Sequence, residues 1–143
     1  MKKLQNPDQL LKLAGEMASH QYQTQVLICG GTGCLSAESG ALAERLKTLI
    51  AEKGKSEQIQ VTLTGCFGFC EKGPILKILP DNTFYVSVQP KDAEEIVNEH
   101  LLEGRQVDRL LYREPLTGKV AHNDGEMAFY RKQKRVALRN CGF

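Results

Sequence analysis

Val26-Leu27-Ile28-Cys29-Gly30-Gly31-Thr32-Gly33-Cys34 is the stretch that decides how this chain is read. Three apolar residues with the texture of a buried strand break directly into a glycine-rich loop that carries a thiol at each end. The pattern recurs downstream. Ile59, Val61 and Leu63 alternate with Gln60, Thr62 and Thr64 at the period of a half-buried strand, and the run ends in Gly65-Cys66-Phe67-Gly68-Phe69-Cys70. Four of the five cysteines therefore form two tight pairs, C-x4-C and C-x3-C, with 31 residues between them.

Working outward, Ser36 reads as an N-cap, and Leu42, Leu46, Leu49 and Ile50 form one apolar stripe until Gly54 stops the helix. After Gly73-Pro74, the runs from Ile75 to Leu79 and from Thr83 to Val88 flank a Pro80-Asp81-Asn82 turn and predict a hairpin. Pro90 and Asp92 open a last helix that turns Ile96, Val97 and Leu101 to one side and closes at Gly104. A right-handed crossover makes the first two strands parallel neighbours. The compact solution is α/β: a small mixed sheet of two parallel strands plus an antiparallel hairpin, flanked by helices and similar to the core of thioredoxin. Both cysteine loops then leave the carboxyl ends of adjacent parallel strands and meet at one edge.

Outside this core, Asn6 as N-cap and Pro7 at the first helical position start a short amphipathic helix with Leu10, Leu11, Leu13, Ala14 and Met17, expected to lie on the surface. Beyond Arg105 the texture changes: Tyr112 to Lys119 is turn-rich, and Glu126 to Asn140 is basic with weak helical periodicity. The expected division is an N-terminal helix (1–20), a cysteine-bearing domain (21–104) and a connector or tail (105–143) that forms an appendage, not a second core.

At 143 residues, 41% hydrophobic and 25% charged, the composition is that of one ordinary globular domain. No apolar run approaches the roughly 18 residues of a membrane span, which argues against direct membrane insertion. No apolar stretch follows Lys2-Lys3, so no secretory signal is read and a cytoplasmic location is expected. There, paired thiols bind metal or do redox chemistry more often than they form structural disulfides. A net charge of +2 gives no argument for nucleic acid.

Four thiols without a histidine among them suit zinc or an iron-sulfur cluster. A 2Fe-2S cluster asks for four thiolates around two irons and for loops whose backbone comes close. Gly30, Gly31, Gly33, Gly65 and Gly68 remove the Cβ atoms that would hold the chain away. A four-cysteine zinc site more often staples a small fold that has no core of its own. A zinc-stabilised interaction domain thus stays as the alternative, with a thiol-disulfide oxidoreductase behind it, since the C-x-x-C of that chemistry is absent. Nor is Gly31-Thr32-Gly33 a dinucleotide loop, because Ser36 stands where a third glycine is needed. Lys72 is the nearest cation to the thiols, and Phe67 and Phe69 either shield them from water or simply pack the loop. Cys141 is read as structural or free. His20, His100 and His122 are read as capping or solvent-facing. Arg131, Lys132, Lys134, Arg135 and Arg139 are read as a solvated face that would suit an acidic partner surface.

Cys29 to Cys34, Thr64 to Cys70 and Gly73-Pro74 together resemble the thioredoxin-like 2Fe-2S ferredoxin domain. The resembling version is the one at the N-terminus of the flavoprotein (NADH-binding) subunit of NAD(P)-linked, electron-bifurcating iron hydrogenases and of NADH-quinone oxidoreductase. Arg109-Leu110-Leu111-Tyr112, Pro115-Leu116-Thr117-Gly118 and Phe129-Tyr130 through Asn140-Cys141-Gly142 are similar to that subunit's connector to its flavin domain. The resemblance implies a 2Fe-2S cluster held by Cys29, Cys34, Cys66 and Cys70, and one-electron transfer with catalysis located elsewhere. It implies partners as well: a flavin- and NAD(P)-binding domain or subunit and other iron-sulfur subunits, with no nucleic acid, while a homodimer is compatible with it. The FMN and NAD(P)H motifs of such subunits are missing from this sequence, so NADH oxidation does not carry over, and the chain is expected to be a fragment or a separately encoded piece.

Overall fold

The computed structural model of the chain describes residues 6–19, 22–137 and 139. Asn6 caps the first helix, α1 (Pro7–Ser19), by accepting the Gln9 N–H on its side-chain oxygen at 2.9 Å. The helix does not bury its leucines: Leu10, Leu11 and Leu13 remain 55%, 70% and 42% exposed.

Four strands make the sheet: β1 (Thr24–Cys29), β2 (Ile59–Thr64), β3 (Leu76–Leu79) and β4 (Thr83–Tyr85), in the order β2-β1-β3-β4. β1 and β2 are parallel, in a register that sets Cys29 level with Thr64, while β3 runs antiparallel to both β1 and β4. The central strand is buried on both faces, which is why Val26-Leu27-Ile28 is uninterrupted apolar sequence. Val26 and Ile28 turn to one face with Leu76, Ile78 and Tyr85; Leu27 and Cys29 turn to the other with Phe84. β2 lies at the edge, and the alternation read from its sequence is imperfect there: Leu63, near the strand's carboxyl end, is 43% exposed.

The first face is covered by α3 (Ser39–Glu52), whose Leu42, Ala43, Leu46, Leu49 and Ile50 are all buried. The helix does not start at Ser36. A short helix, α2 (Thr32–Ser36), begins inside the first cysteine loop, and the chain turns through Glu38 at φ 68° before α3 begins. The same face takes the segment opened by Pro90–Asp92, which passes through α4 (Ala93–Glu95) and then winds as a π-helix over Ile96–Leu102, ending at Gly104 with φ +71°. The wider winding turns His100 inward. His100, read from sequence as capping or solvent-facing, is buried, with Nδ1 2.7 Å from the Tyr85 hydroxyl and Nε2 2.8 Å from Asp81 Oδ2. The Tyr85 hydroxyl also accepts the Val107 N–H at 2.8 Å, and the Asp81 carboxylate, an acceptor only, takes its bond from Nε2–H.

The second face is covered by residues expected to be an appendage. β5 (Tyr112–Arg113) and β6 (Val120–Ala121) form a hairpin, and α5 (Ala128–Arg131) follows it. Tyr112, Ala121, Met127 and Tyr130 are buried against Leu27, Ile75 and Phe84. Lys77, the one charged side chain of β3, is buried on this face and pairs with Asp124 at 3.2 Å. The apolar positions of the tail are too scattered in sequence to show one stripe, so it reads as irregular although it completes the sheet's cover. Cys141 and His20 lie outside the described residues. Among those described, no helix is long and apolar enough to cross a membrane.

Candidate metal centre

The parallel register of β1 and β2 brings both cysteine loops to one edge, because each loop begins where its strand ends. Cys29 closes β1, and its N–H donates to the Ile75 carbonyl at 3.0 Å; Gly30 N–H donates to the Thr64 carbonyl at 2.9 Å and ties the first loop to the start of the second. Cys34 lies in α2, directly after Gly33. Cys66 and Cys70 bracket Phe67-Gly68-Phe69, where Gly68 has φ +81°, a conformation that a side chain would strain.

Each thiol has two of the others as neighbours. Cys34 lies hydrogen-bonded beside Cys29 and within electrostatic reach of Cys70, and Cys66 stands in the same relation to Cys70 and Cys29. Burial first, then the adjacent Cys29 thiol, push the Cys34 thiol up to about 12 from an ordinary 9.0, against the opposing pull of an Ile75 hydrogen bond. At Cys66 the Gly68 N–H, which donates to its sulfur at 3.3 Å, favours the thiolate, but burial and the charges of Cys29 and Cys70 outweigh it and the net shift is upward. Thiols packed this closely resist ionising together. Positive metal charge removes that repulsion, so the donor set is one that gains from a bound cationic centre.

The backbone leaves room for such a centre. A Cβ on Gly31 would come within 3.1 Å of Cys66 Sγ and 3.6 Å of Cys29 Sγ, and one on Gly73 within 2.7 Å of Cys34 Sγ. Gly31 therefore has the role expected of it, whereas Gly33 has no atom nearer than 3.9 Å and Gly30 is held small by the Thr64 carbonyl at 2.7 Å. The sequence does not single out Gly73 for this role, since it lies outside both cysteine loops. A 2Fe-2S cluster asks only two thiolates of each iron, while an all-cysteine zinc site asks four of one metal. The residues fit a binuclear cluster.

Burial grades across the site. Cys29 and Cys34 are 1% and 2% exposed, Cys66 is half-buried and Cys70 is exposed. Beneath the second loop stands a knot of rings that local sequence does not announce: Phe69 stacks on Phe129 at 4.3 Å and meets Tyr112 edge-on at 5.4 Å, while Phe67 and Tyr130 each meet Phe84 edge-on. The Tyr130 hydroxyl donates to the Phe67 carbonyl at 2.9 Å, and burial pushes its pKa up from the ordinary 10.0. The signal that could have found these residues is the Phe129-Tyr130 pair, an aromatic knot in an otherwise basic stretch. Lys72, the cation nearest in sequence, is paired with Glu71 at 2.8 Å, so much of its charge is already matched.

Residues 18–101 match the thioredoxin-like 2Fe-2S ferredoxin family. A 2Fe-2S ferredoxin of Clostridium pasteurianum is 36% identical over 77 residues, spanning 54% of this chain and 76% of its own length. One from Aquifex aeolicus is 43% identical over 51 residues, 36% of this chain and 46% of that protein. The crystal structure of the wild-type thioredoxin-like 2Fe-2S ferredoxin from Aquifex aeolicus superposes with a TM-score of 0.59 at 27% identity, covering 66% of this chain and all of that one. Sheet order, converging thiols and these relatives agree, and the chain belongs to the thioredoxin-like 2Fe-2S ferredoxin family, carrying a 2Fe-2S cluster for electron transfer.

Proposed function

We propose that Cys29, Cys34, Cys66 and Cys70 are the four cluster ligands, with Cys29 and Cys34 on one iron and Cys66 and Cys70 on the other. The observation that carries this reading is the convergence of four thiols at one sheet edge, each beside two of the others, with Gly31 and Gly73 cleared of side chains where those thiols approach. The pairing follows from the hydrogen-bonded contacts within each pair. When bound, the cluster supplies reversible one-electron exchange. The chain's own residues set the conditions. Phe67 and Phe69, both buried, keep water from the second loop, and the Gly68 N–H donates to the Cys66 sulfur, which favours the reduced, more negative state. Cys70, the exposed ligand, gives the short path to a partner.

The larger setting is an NAD(P)H-linked oxidoreductase complex of hydrogenase or NADH dehydrogenase type. There the chain relays single electrons to or from a flavin- and NAD(P)-binding domain or subunit and other iron-sulfur subunits, and catalysis takes place on those. The resemblance of residues 109–142 to a flavin-domain connector supports this setting. Anaerobically purified protein should contain two irons and two acid-labile sulfides and give a 2Fe-2S signal in electron paramagnetic resonance after dithionite reduction. One zinc per chain and no sulfide would overturn the ligand reading. The setting is tested separately: an isolated flavin- and NAD(P)-binding subunit from the same complex should reduce the cluster when NAD(P)H is added, and failure of that reduction with an intact cluster would overturn the setting alone.

A further inference from the structure

We infer that the basic face carried by α5 and the residues after it docks an acidic protein surface over the Cys66–Cys70 loop, and so guides the electron-transfer partner to the exposed edge of the site. This rests on the electron-transfer reading above. The chain has 19 basic and 17 acidic residues, yet five of the basic ones, and none of the acidic, follow Glu126. The charge is thus sorted: a cationic end on a body with an excess of acid. Arg131, Lys132 and Lys134 are exposed, and none of the four cations from Arg131 to Arg135 has an ion-pair partner among the described residues. Some surface cations elsewhere are paired, as Lys47 is by Glu44, Arg105 by Glu99 and Arg109 by Asp92, and the unpaired ones are not gathered into one run as these four are.

Placement is what gives this face a use. Arg135 lies 4.9 Å above the Tyr130 ring, and Tyr130 in turn holds the Phe67 carbonyl between the two cysteines. Phe129, on the same helix, lines an open cleft of about 320 Å³ with Phe69, Tyr112, Pro115 and Cys70 itself. Of these cations, Arg135 thus sits on the ring system beside the exposed thiol, and the others lie within four residues of it in the chain. A field of one sign beside the transfer edge raises encounter rates and fixes orientation without tight binding. An acidic protein is favoured over nucleic acid because Tyr130 is only 9% exposed and Phe129 is stacked on Phe69, which leaves neither ring free for a base to stack on.

The test uses the full chain with its cluster reduced, and small oxidants of opposite charge. Oxidation by ferricyanide should slow about tenfold from low to high salt, while oxidation by the cationic tris(phenanthroline)cobalt(III) should accelerate. A labelled deca-glutamate peptide should bind at low salt and compete with ferricyanide. R131Q/K132Q/K134Q/R135Q should flatten both salt dependences and release the peptide, with the visible spectrum unchanged. K53Q/K55Q, which removes charge beside the amino end of β2 at the opposite end of the strand from Cys66, should leave them intact. The wild-type salt dependence needs no variant, so a quadruple variant that failed to fold would not rescue the idea. A cluster-loaded protein oxidised at rates independent of salt and of oxidant charge would overturn the docking face while leaving the electron-transfer reading in place. Sub-micromolar binding of a single-stranded RNA at physiological salt would overturn it in favour of a nucleic-acid surface.

Discussion

The two cysteine loops begin alike, each at the end of a parallel strand, yet the first is sealed and the second is open. Cys29 and Cys34 sit inside the hydrophobic interior, held by backbone pairing and by a helix that starts in the loop itself. Cys66 and Cys70 stand at the surface on a loop with little regular structure of its own, steadied from below by rings that arrive from residues 84, 112, 129 and 130. The first loop is made rigid by neighbours in sequence, the second by distant ones. One anchors the site and the other presents it.

Serine substitution should break the symmetry most sharply. Cys29→Ser puts a hydroxyl where no water can help it ionise, so the cluster should be lost and the protein colourless. Cys70→Ser, at an exposed position, should keep a cluster with a shifted visible spectrum and electron paramagnetic resonance signal. Equal loss in both would mean that exposure does not distinguish the loops. Cys66→Ala should lose the cluster, whereas Cys141→Ala should leave the spectrum unchanged.

Removing the support should act on one loop alone. Tyr130→Ala deletes a buried ring and its hydrogen bond, at a cost of about 3 kcal/mol in thermal or denaturant unfolding, and should speed loss of the cluster in air. Gly73→Ala drives a methyl into Cys34 Sγ and should cost about 2 kcal/mol, with slower cluster assembly, while Gly33→Ala, whose methyl would only make ordinary contact with Cys70 Cβ at 3.9 Å, should be close to neutral. If the two alanines behaved alike, close approach to sulfur would not be what the glycines provide.

The smallest effect is in alkali. Tyr130 titrates above its ordinary 10.0 because burial disfavours the phenolate, so the folded state holds its proton longer than the unfolded one. The stability this adds is complete below pH 10 and is lost as the pH climbs toward the raised value, since a phenolate has no proton to donate to the Phe67 carbonyl. Stability measured against pH should fall on that alkaline limb, to which the likewise raised Tyr85 and Tyr112 contribute, and Tyr130→Phe should make it shallower at a cost of about 1 kcal/mol at neutral pH.

What can be read along the chain is whatever depends on near neighbours. The apolar run before Cys29, the stripe from Leu42 to Ile50, the hairpin turn at Asp81-Asn82 and the cap at Asn6 all become the elements they suggest, because strand period, helix period and capping are properties of adjacent residues. His100 departs from its reading as capping or solvent-facing because its burial comes from a π-helical winding and from Asp81 and Tyr85, all set by tertiary packing. The tail departs from the expected appendage for the same reason: Tyr112, Met127 and Tyr130 share no stripe and are buried only once β5 and β6 lay them against Phe84 and Leu27.

By itself, the sequence determined the mixed sheet and the meeting of the two cysteine loops at one edge, since a strand running into a cysteine loop twice over leaves few other arrangements, while the family was legible only as a resemblance of its cysteine and glycine motifs. Only the tertiary structure decided which thiol is exposed, which glycine clears which sulfur and which distant rings hold the open loop. Those depend on how the second face of the sheet is covered, and hydrophobic burial of that kind joins residues without regard to their order in the chain.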